Sequence, residues 1–344
     1  MSETERYLRV GIVDFNTRRM SDEETSNIPI NLRPFVAEKR QYPMKIGDFI
    51  PEGVLWIQEG QPWYFREQIS DPEKLQRLRD QELLILTGSG MSAYKFQEGQ
   101  EPADPPEKGD RELLEITEQL IRDHLGKGRW VLGDCFGGQL GIHALGGKVG
   151  CLPLNQYGNP VTEAGYLEHE LTEAGRQDEV FGGLPDRYFA AHFHNNFVSE
   201  LPRVGTKVKT SSGEIVVTKA DVLAVRNGYL DRDGLKDSDT SYIHAAVIEF
   251  DNGAKFYHTQ PHVEMSTEQR ANFFPRLVFE WLSREEQMGE EYAKQALVIP
   301  DEADFSASMV ITNFVEAYKK YINMEFVEAV APAILHELQK YRIE

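Results

Sequence analysis

Short compact apolar runs and a few longer helical stripes divide the chain. Leu8 to Phe15 alternates apolar and β-branched residues and predicts a first core strand. From Asn16 to Ser70 the pattern is broken by Pro29, Pro34, Pro43, Pro51 and Pro62, and Val54 to Ile57 is its one clear strand-like run. Leu83 to Thr87 is apolar throughout and ends in Gly88-Ser89-Gly90, as a buried parallel strand does when it stops at a tight turn. Gln97 to Lys108, with Pro102, Pro105 and Pro106 among acids, reads as a surface loop. Asp110 then caps a helix in which Leu113, Leu114, Ile116, Leu120 and Ile121 recur at helical spacing until Gly126 and Gly128 stop it.

Trp130 to Leu132 predicts the next strand. Strand, helix and strand with a glycine-rich corner after each strand make a βαβ unit, which requires a parallel, doubly wound α/β sheet. Further strands are expected at Val149 to Leu152, Tyr188 to His192, Ile215 to Val217, Val222 to Val225 and Ala245 to Phe250. After Glu264 the period becomes helical. Ser266 with Gln269 forms a capping box, Ile311, Phe314, Val315, Tyr318 and Ile322 make one apolar stripe, and Phe326, Val330, Ile334 and Leu338 make another. These helices are expected to cover the sheet or a homodimer face.

Composition narrows the functional classes. Of 344 residues, 37 are Lys or Arg and 56 are Asp or Glu, a net charge of −19, so the surface repels polyanions and neither nucleic acid nor an anionic membrane is an expected partner. The 40% apolar content supports one large core or two. Two cysteines, Cys135 and Cys151, are too few for a disulfide framework and point to a reducing, cytoplasmic setting. No run approaches the roughly 18 apolar residues of a membrane-spanning helix, and the first residues are polar and charged.

The sharpest chemical feature lies where the strand at Trp130 runs into Gly133-Asp-Cys135-Phe-Gly137-Gly-Gln139 and a helix. Glycines on both sides of the cysteine relieve the crowding of a strained turn, and a helix N-terminus favours negative charge on the sulfur. The alternative, a buried structural cysteine in a βα corner, does not need those glycines. A thiol that performs acyl transfer requires a proton shuttle and a group to orient it. Phe256 to Glu264 supplies them, because His262 and Glu264 stand two apart after a strand and share a face when extended.

These residues resemble the class I (triad) glutamine amidotransferase family. Its nucleophile motif, G-x-C-x-G-x-Q, is matched at every fixed position by Gly133, Cys135, Gly137 and Gln139, and its Q-F-H-P-E motif appears as Gln260-Pro-His262-Val-Glu264. Glu163-Ala-Gly165-Tyr166 resembles the family's E-x-G-W segment, and His194-Asn-Asn-Phe-Val198 with Pro202 its H-G-D-x-V…P loop. The resemblance runs from Leu8 to Glu264. There are departures: Pro261 precedes His262 instead of following it, Asn196 replaces an aspartate, and Gly138 stands where histidine is common.

The resemblance implies a three-layer, doubly wound, mostly parallel sheet of flavodoxin-like type. Residues 1–265 would form the catalytic domain, with an insertion at about 16–70, and residues 266–344 a helical extension. Cys135 would attack the side-chain amide of glutamine or of a γ-glutamyl amide, with His262 as proton shuttle oriented by Glu264. Backbone N–H groups of Phe136 and of Gly88-Ser89 would hold the oxyanion, each such donor being worth about 3 kcal/mol. Gln139 and His194 are placed at the substrate. No cofactor is implied. The ammonia would be released or passed to a separate synthetase, since no G-x-x-x-x-G-K-[ST] loop occurs in the chain. The rival reading is a non-catalytic, amidotransferase-like regulatory or partner-binding protein.

Two other constellations carry less. Asp231-Arg-Asp233-Gly234…Asp237-Ser-Asp239 lacks the calcium-loop spacing and its terminal glutamate, and reads as an acidic surface turn. His192 and His194 share a strand face as metal ligands do. With no cysteine and no second spaced pair beside them in the sequence, no metal is expected.

Overall fold

The computed structural model describes residues 8–13, 54–57, 69–88, 110–153, 161–231, 234–263 and 309–322. Most of the Asn16 to Ser70 insertion, the Gln97 to Lys108 loop, the Ser266 capping box and the Phe326 to Leu338 stripe lie outside the described residues.

One sheet organises the described chain. Its first part is parallel: β1 (Leu8–Val13) pairs with β2 (Val54–Ile57) and β3 (Leu83–Leu86), β3 pairs with β4 (Trp130–Asp134), and β4 pairs with β12 (Lys255–Thr259). Strands β1, β3 and β4 are mostly apolar because both faces of the sheet are covered. Helices α1 (Pro72–Asp80), α2 (Asp110–Gly126) and α3 (Phe136–Ala144) bury Leu78, Leu120, Ile121, Phe136 and Leu140 against Val13, Leu84, Leu86 and Val131 on one face. On the other face, helix α5 (residues 309–322) sets Val310, Ile311, Phe314, Val315 and Tyr318 against Val10, Ile85, Trp130 and Tyr257. The rings of Phe314 and Tyr318 lie 6.2 and 5.5 Å from that of Trp130. The architecture is therefore a three-layer α/β sandwich, and the stripe beginning at Ile311 covers the sheet.

Beyond β12 the sheet becomes antiparallel. β12 pairs with β11 (Gly234–Phe250), which pairs with β10 (Gly213–Asp231), then β6 (Glu163–Leu171) and β7 (Arg187–His194). Strand β8 (Asn196–Glu200) joins β11 to β5 (Lys148–Cys151), β9 (Lys207–Thr210) pairs with β10, and the short helix α4 (Glu173–Gln177) follows β6. Here the structure extends what the sequence predicts. Register shifts between Val217 and Lys219, and again around Val222 to Val225, break the two-residue period of β10, so its alternation fades although the strand continues. Of the acidic turn expected from Asp231 to Asp239, Asp231 ends β10 and pairs with Gly234, and Gly234 to Asp239 lie within strand β11, while residues 232 and 233 lie outside the described residues. Strand β6 carries no apolar signature at Glu163 or His169, yet both are buried.

Candidate active site

The site forms at the carboxyl ends of β3, β4 and β12, where an open α/β sheet offers its crevice. Cys135 follows the last residue of β4 and precedes the first of α3. Its backbone stands at φ 45° and ψ −111°, and it is the sole non-glycine residue at positive φ among the described residues. Such a conformation costs of order 1–3 kcal/mol and persists only where the surroundings impose it. They do so through three bonds. Cys135 N–H donates to the Thr259 carbonyl at 2.7 Å, Gly137 N–H to that of Thr87 at 3.1 Å, and Gln139 N–H to that of Cys135 at 3.0 Å.

The glycines let these segments touch. A Cβ on Gly133 would lie 2.7 Å from the backbone of Gly138, so any side chain there would push α3 off the strand. At Gly138 the space for a side chain is filled by the His258 ring from β12, which accounts for glycine at a position where the family resemblance expects histidine. Gly88 matters most. Its missing Cβ would stand 2.7 Å from His262 Cε1 and 3.2 Å from Cys135 Cβ, so the nucleophile and the imidazole flank one glycine at the end of β3.

His262 is held by its own backbone, whose N–H donates to the Ala191 carbonyl at 2.8 Å, while Gln260 N–H donates to the His244 carbonyl at 2.7 Å. Pro261, which has no N–H to satisfy, sits between these two anchors. One ring nitrogen of His262, Nδ1, faces Asp134 Oδ2 at 3.9 Å. That is beyond hydrogen-bond length and within ion-pair distance were the ring protonated. Asp134 is otherwise fixed by Thr259 Oγ1, which donates to its Oδ1 at 2.9 Å.

Gln139 points into the same interior. Its Nε2 donates to the Asn196 carbonyl at 3.0 Å and to Gln260 Oε1 at 3.1 Å, and Gln260 Nε2 in turn reaches Cys135 Sγ at 3.7 Å. Because Gln139 supplies a donor, the Gln260 amide must present its oxygen to Gln139 and its NH2 to the sulfur. The result is a short polar relay from the Asn196 carbonyl through Gln139 and Gln260 to the Cys135 sulfur.

Of the residues expected at the site, Cys135, His262, Gly88, Phe136 and Gln139 come together around the elbow. Glu264 and Ser89 lie outside the described residues. His194 is buried beside Glu163, His192 and Asn196, with Nδ1 2.9 Å from the Asn196 carbonyl to which Gln139 Nε2 also donates. Burial lowers its pKa to about 3, and that of His258 to about 3 as well, so both are neutral near pH 7. Asp134 and Gln260 are the residues that sequence reasoning did not assign. Gln260 is visible as a motif position, and Asp134 as an acid closing an apolar strand, but only the fold brings Gln260 to Cys135 and Asp134 to His262.

Neither a protein-family model nor a curated protein matches the sequence. Solved structures similar to the chain include a glutamine amidotransferase from Thermotoga maritima, 15% identical, covering 90% of this chain and 97% of its own, with a TM-score of 0.47. A putative GMP synthase component from Thermoplasma acidophilum is 14% identical, covers 93% and 98%, and gives 0.48. A glutamine amido transferase from Methylobacillus flagellatus is 19% identical, covers 90% and 92%, and gives 0.43.

Proposed function

We propose that the protein is a cysteine-dependent amidohydrolase of the glutamine amidotransferase type. It would cleave the side-chain amide of glutamine or of a γ-glutamyl amide. The observation that carries this reading is the strained elbow at Cys135, with His262 beside it across Gly88. A buried structural cysteine gains nothing from positive φ, whereas a nucleophile gains exposure of its sulfur to a helix N-terminus.

In the proposed reaction Cys135 Sγ adds to the amide carbon after its proton passes to His262. Backbone N–H groups of Phe136 and Gly88 stabilise the oxyanion, joined in the resemblance by Ser89. His262 returns the proton to the leaving nitrogen, ammonia departs from glutamine (or the corresponding amine from a substituted γ-glutamyl amide), and a γ-glutamyl thioester remains. Water, deprotonated by His262, then attacks the thioester, and the carboxylate and free thiol are regenerated. Glu264 is the orienting carboxylate by motif, and Asp134 is the carboxylate facing the ring among the described residues. The ammonia would serve a separate synthetase.

The test is incubation with glutamine and with γ-glutamyl amides, measuring ammonia and the free acid, alongside mass-spectrometric mapping of a glutamine-mimicking electrophile. Turnover with labelling at Cys135, both lost in Cys135→Ala, is expected. Absence of both, with and without candidate synthetases, would sink the enzyme reading.

A further inference from the structure

Four of the chain's nine histidines converge in the antiparallel half of the sheet, outside the proposed reaction. Glu163 pairs with His194 and Gly165 with His192 in the β6–β7 ladder, so Glu163, His169, His192 and His194 occupy one sheet face by the two-residue period. His244 arrives from β11, its ring 4.6 Å from that of His169 and 5.2 Å from that of His192. All four histidines are buried.

Hydrogen bonding among neutral rings does not satisfy this cluster. His194 Nδ1–H can donate to the Asn196 carbonyl at 2.9 Å, and His192 Nδ1–H to His194 Nε2 at 2.9 Å. His169 Nε2–H can then donate to His192 Nε2 at 2.7 Å. The chain ends there. Among the described residues, His169 Nδ1 keeps an unmatched lone pair, and both nitrogens of His244, a residue 1% exposed, have no hydrogen-bond partner. Natural interiors rarely leave such groups unmatched without a reason.

We propose that His169, His192 and His244 form a buried site for a divalent first-row transition metal, with Zn2+ the best fit. One ligand nitrogen from each lies within 4.8 Å of the other two. Three neutral imidazoles, with no thiolate among them, suit zinc and leave a fourth position for water, whereas magnesium and calcium demand oxygen donors. Tetrahedral coordination at about 2.0–2.1 Å places nitrogens roughly 3.3 Å apart, so the Nε2 atoms of His169 and His192, now 2.7 Å apart, need part by about 0.6 Å. Burial already holds His169, His192 and His244 in the neutral form that binds metal.

The outer shell is present as well. With His192 Nε2 on the metal, its Nδ1–H donates to His194, which donates to the Asn196 carbonyl and so fixes tautomer and ring orientation. Glu163, His192 and His194 also lie within metal-holding distance of one another, but Glu163 is already committed to Arg226 at 2.7 Å. The unmatched nitrogens of His244 decide for the first trio. The metal would act on the catalytic segment through structure, since the His244 carbonyl anchors Gln260 and the Ala191 carbonyl anchors His262.

The experiment uses the full chain stripped by chelator, then titrated with Zn2+ alone and, separately, with Co2+. Expected are one equivalent of bound zinc, a rise of several degrees in melting temperature, and cobalt visible bands of a four-coordinate nitrogen site without thiolate charge transfer. Cys135→Ala retains all three, whereas His244→Leu and His169→Leu lose them. Any of three results overturns the proposal: no stoichiometric binding to the wild type, binding that survives both histidine substitutions, or a thiolate band that disappears in Cys135→Ala. The wild-type cobalt spectrum decides even if a variant fails to fold, and no readout depends on turnover.

Discussion

The two halves of the sheet hold their polar groups in opposite ways. In the parallel half the elbow at Cys135 is local: strand, glycines, cysteine and helix all lie within residues 130–144, and nearby strand ends complete them. In the antiparallel half the histidine cluster is assembled from β6, β7 and β11, and no short stretch of sequence contains it. The difference teaches where chemistry can be read from a pattern. A strained turn must carry its own glycines, whereas a ligand cluster needs only strands that end up adjacent.

The largest expected effect isolates the local site. Cys135→Ala should reduce amide hydrolysis by a factor on the order of 10⁴ or more, as loss of a nucleophile does in triad enzymes. Cys135→Gly should be equally inactive but more stable than the alanine variant by on the order of 1 kcal/mol, because glycine adopts positive φ without strain. Chemical denaturation of the two variants side by side measures this. Equal stabilities would mean that the elbow stores no strain.

Next, Phe314→Ala tests whether the parallel half depends on the helix at residues 309–322. Phe314 is fully buried and stacks near Trp130 and Tyr257, so truncation should cost about 3–5 kcal/mol. A loss below about 1 kcal/mol would show that this helix adds little to the core. A smaller effect is expected across the boundary between the halves. Gln139→Leu removes the bonds to Asn196 and Gln260, leaving the Asn196 carbonyl and the Gln260 amide with fewer partners, at a cost of about 1–3 kcal/mol. Turnover should fall by roughly tenfold as the Gln260 NH2 loses its fixed direction toward the sulfur. Unchanged turnover in a folded variant would remove Gln139 from the positioning machinery.

How much was legible follows the same division. Leu83 to Thr87, the helix from Asp110 to Gly126 and the strand at Trp130 were readable because their burial is continuous and their ends carry glycine. That Cys135 and His262 belong to one site is readable from motif spacing, and the fold sets them on either side of Gly88. Asp134 was not readable, because its meaning depends on β12 lying beside β4. The full lengths of β10 and β11 were hidden by bulges, and β6 was hidden because Glu163 and His169 are polar yet interior. Hydropathy assigns such residues to solvent, and long-range pairing overrides it. His192 and His194 were noticed as a pair, and the partners they lacked come from β6 and β11.

The smallest effect concerns β12, the strand that is parallel to β4 on one side and antiparallel to β11 on the other. His258 on this strand is wholly buried under α3, and burial lowers its pKa from 6.5 to about 3. An unfolded chain binds a proton there as pH drops through 6.5, and the folded chain does not until about pH 3. Its share of stability is therefore intact above pH 6.5 and is lost progressively between 6.5 and 3, at roughly 1 kcal/mol for each pH unit. His258→Leu removes that proton linkage, so the stability difference between variant and wild type should shift in the variant's favour by about 1 kcal/mol between pH 6.5 and 5.5. Parallel denaturation curves at both pH values measure the shift. A difference independent of pH would mean that His258 takes up its proton in the folded state, and that water reaches the boundary between the two halves.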